Sequence, residues 1–186
     1  STPLYSSAAS DVYKRQELYT RTNQKIFYAG LSLESWRKAE EGRAMNAQAL
    51  VQAEREATLF HLYGALLGLC HEIAGFYRLP NSSAARAEML LDRQNLSGAP
   101  SPELAELVEL SENRHTWLGQ LLAAHADLFK PPRAPREPKG DPGNSALIEA
   151  VSVDQEPAPL AHETLESWRQ ELKALAQRFR VGLSEW

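Results

Sequence analysis

The sequence predicts an all-α fold, an up-and-down bundle of about five helices with a proline-rich linker before the last one. Three observations carry that expectation. Apolar residues recur at three- and four-residue steps from Glu17 nearly to the end, the period of helices that bury one face. Only "SALIEAVSV", Ser145 to Val153, is strand-like, and a lone strand has nothing to pair with. Glycines, prolines and N-capping residues gather at a few points and cut the chain into helix-length pieces.

The opening "STPLYSSAASDVYKRQ", Ser1 to Gln16, lacks an apolar stripe. It resembles translated sequencing-adapter read-through from metagenomic reading frames, so residues 1–16 are expected to be a disordered or artefactual tail. Leu18, Thr22, Ile26, Ala29, Leu33, Trp36 and Glu40 then mark a first helix to about Glu41, with Gly42 as its C-cap. Asn46 caps a long second helix from about Ala47 to Arg78, which Pro80 stops. "NSS", Asn81 to Ser83, opens a short third helix through Leu96. Ser101 and Pro102 start a fourth, carried by leucines from Leu104 to Leu128.

Five prolines between Pro131 and Pro142 end that helix and predict an exposed, stiff linker over 130–160. Ser145–Val153 is expected to lie on the bundle as extended chain. Leu165, Trp168, Leu172, Leu175, Ala176 and Phe179 define a last helix, about Ala161 to Gly182. So regular a stripe needs a partner surface, so 161–186 should dock back on the main bundle of 17–129. "LESWR" occurs at Leu33 and again at Leu165, but the flanks do not match, so it is read as coincidence.

The totals exclude several classes. A chain of 186 residues with 43% hydrophobic and 24% charged residues is one globular domain by composition. Net charge is −4 with interspersed signs, so no nucleic-acid partner is expected. The single cysteine, Cys70, cannot form an internal disulfide. With no recognisable secretory leader, it favours a reducing, cytoplasmic setting.

Candidate chemistry concentrates in "REATLFHLYGALLGLCHEIAGFYR", Arg55 to Arg78. Leu59–Tyr77 is long enough to span a membrane, but it holds His61, His71 and Glu72, and a central carboxylate costs roughly 2.5–3.5 kcal/mol. No span is expected. Glu54, His61 and Glu72 align along one helix line, yet at about 1.5 Å per residue they lie roughly 10 and 16 Å apart. One ion needs ligands a single turn apart, so no metal site and no cofactor are expected. Arg55 and His61 are spaced like the Arg-x(4–6)-His signature of the HEPN ribonuclease superfamily. That resemblance would make Arg55 the phosphate stabiliser and His61 the acid or base. Glu56 departs from the pattern, because its charge repels phosphate.

The simpler reading is a central core helix. Ala57, Gly64, Gly68 and Gly75 form a strip for a close neighbour, and His61, Glu72 and Glu54 form the polar edge beside it. Arg114, amid the fourth helix's stripe, is expected to pair with Glu72 or Glu54 and set helix register. His115 and His125 read as packing histidines, and Cys70 as an inert buried thiol.

The block Leu18–Pro80 and the ending "RFRVGLSEW" resemble an uncharacterised bacterial family of short helical proteins, a domain of unknown function. The resemblance brings no catalytic residue. The expected function is therefore non-enzymatic, acting through a protein partner or a homo-oligomer. The competing expectation is the ribonuclease reading on Arg55 and His61.

Overall fold

The structure is a computed structural model, and it describes residues 4–98, 100–131 and 158–184. Five α-helices and no strand occur among them: α1 Leu4–Glu41, α2 Ala47–Phe76, α3 Pro102–Glu112, α4 Trp117–Asp127 and α5 His162–Ser184.

The α1–α2 hairpin is the framework. Leu18 meets Gly75, Thr22 meets Gly68 and Lys25 meets Gly64, so the helices run antiparallel. The small-residue strip of α2 is what α1 packs against. At Gly68 an added Cβ would lie 2.6 Å from Thr22 Oγ1, so the close approach depends on having no side chain there. The predicted α1 stripe is buried at Thr22, Ile26, Ala29, Leu33 and Trp36.

The first correction concerns the N-terminus. The tail expected to be disordered is helical from Leu4. Leu4–Gln16 holds no glycine or proline, and a helix already nucleated by packing propagates into such a stretch without an apolar stripe. From Ala8 to Glu17 its side chains are exposed.

By length and composition, α2 is the one helix among the described residues suited to crossing a membrane. Leu62, Ala65, Leu66, Leu69, Cys70 and Ile73 are fully buried within the bundle. The helix ends at Phe76, two residues before the expected Arg78. Arg78 takes a left-handed φ of 52°, and Leu79 N–H donates back to the Ala74 carbonyl at 2.9 Å, closing the helix end.

The expected third helix is absent. Asn81–Leu96 is a turn-rich segment with two 3-10 turns, Ala87–Met89 and Arg93–Leu96. Side chains take the backbone groups that a helix would pair internally. His71 Nε2 donates to the Ala84 carbonyl at 2.7 Å, Ala87 N–H donates to the Tyr63 hydroxyl at 3.1 Å, and Asn95 donates to the Met89 and Leu90 carbonyls.

The expected fourth helix is two. Asn113 leaves helical geometry at φ −89°, ψ 110°, and its side chain accepts from His115 N–H. Thr116 caps α4 by accepting from Gly119 N–H at 3.0 Å. α5 docks antiparallel to α1 and parallel to α2. It buries Leu165, Trp168, Leu172, Leu175, Ala176, Phe179 and Leu183, as its stripe requires. The proline-rich linker and the extended Ser145–Val153 lie largely or wholly outside the described residues.

Candidate functional site

Arg55 and His61 are six residues apart, so they sit about 120° apart around α2 and about 9 Å apart along it. Their surroundings differ accordingly. Arg55 Nε donates to the Leu160 carbonyl at 3.1 Å, and its guanidinium lies 4.8 Å from the Trp36 ring centre. His162 stacks edge-on against that indole at 5.3 Å and donates through Nε2 to the Leu33 carbonyl at 2.9 Å. Arg55 is thus committed to seating the start of α5.

His61 lies on the opposite flank of the hairpin, 5.5 Å from the Tyr28 ring and 5.6 Å from Phe60. Its Nδ1 is buried without a partner among the described residues. Burial first, and then the charge of Lys25, lower its pKa. Among the described residues the pair shares no contact, so the two side chains do not meet in one cleft.

The predicted polar edge is corrected in its partner. Glu72 is buried, but Arg114 is exposed in the turn between α3 and α4, because the helix that would have aimed it inward breaks at Asn113. Glu72 pairs instead with Arg180 of α5, whose Nε and Nη2 donate to its two carboxylate oxygens at 2.8 and 2.7 Å. Arg180 also donates to Asn23 Oδ1 at 2.8 Å and stacks 4.7 Å above the Tyr19 ring. One guanidinium therefore ties α5 to both α1 and α2. Glu54 is half-buried and makes no ion pair among the described residues.

Arg180 lies more than a hundred residues from Glu72, so local helix spacing does not point to it. Its signal is its place beside the apolar stripe, one residue after Phe179 and one turn after Ala176. Cys70 is fully buried, and burial pushes its thiol up to about 12, so it is protonated and unreactive at neutral pH. His125 is a packing histidine, stacked on Tyr63 at 3.7 Å and 2°. His115 is not, because it lies exposed in the α3–α4 turn. No group of three His, Cys, Asp or Glu side chains that could hold a metal occurs among the described residues.

What remains at the surface is an aromatic belt that starts at Phe27, one turn from the α5-facing Asn23 and Gly30, and crosses Tyr28 to Phe60. Phe27, Tyr28, His61 and Phe60 follow one another at ring separations of 6.4, 5.5 and 5.6 Å, and Leu31 lies one turn beyond Phe27. Phe27 is 61% exposed, Phe60 54%, Leu31 45% and Tyr28 38%. The Lys25 ammonium sits 5.9 Å from the Tyr28 ring centre and 5.7 Å from that of Phe60, and its methylenes cover Gly64. Neither Lys25 nor Arg21, one turn before it, has a carboxylate within ion-pair distance among the described residues. Both line a shallow depression along α1 from Tyr13 to Tyr28.

Comparison with known proteins gives a family and no activity. No curated protein and no solved structure matches the chain. The profile of one family of unknown function matches residues 17–186, from within α1 through α5, and the chain belongs to that family, DUF6586.

Proposed function

We propose that this protein acts without catalysis, as a helical contact module whose working surface is the aromatic belt of α1 and α2, and that its partner is a second copy of the chain. The observation that supports this reading is the contiguous exposure of Phe27, Tyr28, Leu31 and Phe60. Scattered surface hydrophobes are ordinary, but a contiguous aromatic patch rimmed by charge is the composition of an interface centre. Each large aromatic offers roughly 150–250 Å² when fully buried, so the belt is the size of the core of a small, reversible interface rather than an obligate one.

A second copy fits by charge as well as by apolar character. Arg21 and Lys25 flank the belt towards the α1 N-terminus, and Glu56 flanks it towards the other end, where Glu34 is already paired with Lys38. A two-fold axis through the belt sets the basic end of one protomer against the acidic end of the other, as an isologous dimer requires. The ribonuclease alternative gains no support, because Arg55 and His61 face different surroundings.

Light scattering on a size-exclusion column, run from low to high protein concentration, tests the reading. The wild-type chain is expected to shift from monomer towards dimer, and the double substitution Phe27→Ser with Phe60→Ser is expected to remain monomeric. A wild type that stays monomeric throughout, or a double variant that associates equally well, overturns it.

A further inference from the structure

We infer that His61 is the proton-sensitive element of the aromatic belt, so that the belt pairs two copies of the chain at neutral pH and releases them when this imidazole is protonated. This rests on the reading that the belt is the contact surface.

The first observation is where the ring stands. His61 is wedged between two of the belt's exposed rings, 5.5 Å from Tyr28 and 5.6 Å from Phe60, and edge-on to both. Of the side chains in the belt it alone is of a type that changes charge between pH 5 and 8.

The second is its access to water. Nδ1 is buried without a hydrogen-bond partner among the described residues, while the residue as a whole is half-exposed. Water therefore reaches the ring from its Nε2 side. A neutral ring with its proton on Nε2 leaves only a lone pair at Nδ1. Protonation places a charged N–H donor there with nothing to receive it, which costs more. A second copy laid over Tyr28 and Phe60 covers the Nε2 side as well. It takes from the imidazolium the hydration it still has, and the neutral ring loses far less.

The third is the charge around it. Lys25 and Tyr28 face His61 from α1. The Lys25 ammonium already lies 5.9 and 5.7 Å from the centres of the Tyr28 and Phe60 rings, so a second cation between them meets like charge and finds both rings in use. On α2 the residues one turn away are Ala57, Thr58, Gly64 and Ala65, none of them charged. Glu54 is two turns away, about 10 Å along the helix, and Glu56 points about 140° away around it. Burial and Lys25 both lower the His61 pKa, and no carboxylate acts against them. The acidic residue that a second copy brings up is Glu56, which the two-fold axis sets against Arg21 and Lys25. The same axis brings two His61 rings to one contact, so association is linked to two protons. Association is therefore full above about pH 6.5 and is lost as pH falls through the depressed value of the monomer.

The light-scattering series on the full chain, run at pH 7.5 and at pH 5.5, tests this, with circular dichroism at each pH to separate release from unfolding. The wild-type dimer is expected to weaken at least about fourfold at the lower pH. His61→Phe keeps a ring in the wedge without the proton, and its dimer is expected to be equally tight at both. His61→Gln, which removes the proton at smaller cost to packing, is expected to lose the pH dependence too. His125→Phe, outside the belt, is expected to keep it. No weakening of the wild type, or the same weakening in both His61 variants, overturns the inference but leaves the belt standing as a contact surface. A wild type that is monomeric at both pH values and every concentration removes the contact reading and the inference with it. A proton NMR titration of the His61 ring adds an independent readout. Its midpoint is expected to lie lower at high protein concentration than at low, and equal midpoints overturn the inference.

Discussion

The Arg180–Glu72 pair shows how much one misplaced counterion changes at the residue scale. The Glu72 side chain is fully buried and that of Arg180 keeps 18% of its exposure, so the two halves are not equivalent. Arg180→Ala leaves a carboxylate in the core with nothing to receive it, and should cost about 3–5 kcal/mol in urea unfolding. Glu72→Gln leaves Arg180 its contacts with Asn23, the Tyr19 ring and solvent, and should cost about 1–2 kcal/mol. Equal losses for the two variants would mean that the pair acts only through its mutual contact. The histidines carry a second prediction. Burial lowers the pKa of both His125 and His61, so the unfolded chain binds more protons than the folded one in the interval below about pH 6.5. Stability contributed by their neutral forms is full above that pH and is lost as pH falls through the depressed folded values. The melting temperature should therefore decline between pH 7.5 and 5.5, before the paired carboxylates titrate. His125→Phe keeps the stack on Tyr63 and should flatten part of the decline; an unchanged slope would remove His125 from the account.

At the element scale, the α3–α4 corner explains what the sequence shows and what it hides. Apolar residues at helical spacing stand on both sides of Ser111–Thr116, up to Leu110 and again from Trp117, and no proline or glycine marks a break between them, so periodicity alone reads one helix. The break is written in capping chemistry, with Asn113 and Thr116 each satisfying a backbone N–H, and in Gly119. A Cβ at Gly119 would lie 2.2 Å from the Asn113 carbonyl oxygen, which is backbone and cannot move aside. Gly119→Ala should thus cost about 1–3 kcal/mol, near the upper end for overpacking. Gly64→Ala meets only the flexible Lys25 side chain at 3.3 Å, and the gain in helix propensity should leave stability unchanged or raised by up to about 1 kcal/mol. Chemical denaturation of both variants checks the contrast. α5 was legible almost residue for residue, because a helix that touches the core with one face writes that face as a clean stripe. The aromatic belt was not legible. Exposed Phe27 and Phe60 lie among buried neighbours on helices that are apolar over much of their circumference, and only the position of α5 decides which flank is left open.

For the whole molecule, the question is what makes one folded unit of a hairpin, a helical corner and a last helix separated from them by twenty-six undescribed residues. The contacts assign that task to the surface of α5 rather than to the chain connection. Its seven buried side chains are each worth about 1.5–3 kcal/mol on burial. The bidentate pair of Arg180 with Glu72 and that of Arg178 with Glu106 fix its axial position on α2 and α3. Its start is held by Leu160 on Arg55 and by His162 on Leu33. A helix of twenty-three residues is marginal alone in water, so its order comes from this seat. It follows that the covalent linker is dispensable for folding. Residues 1–131 and 158–186 expressed together as separate polypeptides should co-purify in equal amounts and unfold in one cooperative transition, at a midpoint that rises with concentration as association demands. Trp168→Ala in the shorter piece removes its largest buried side chain, costs about 3–5 kcal/mol, and should abolish co-purification. A longer piece that folds cooperatively without the shorter one would show that α1–α4 close a core by themselves. Recovery of the wild-type shorter piece in unequal amounts, or none at all, would return the organising role to the linker.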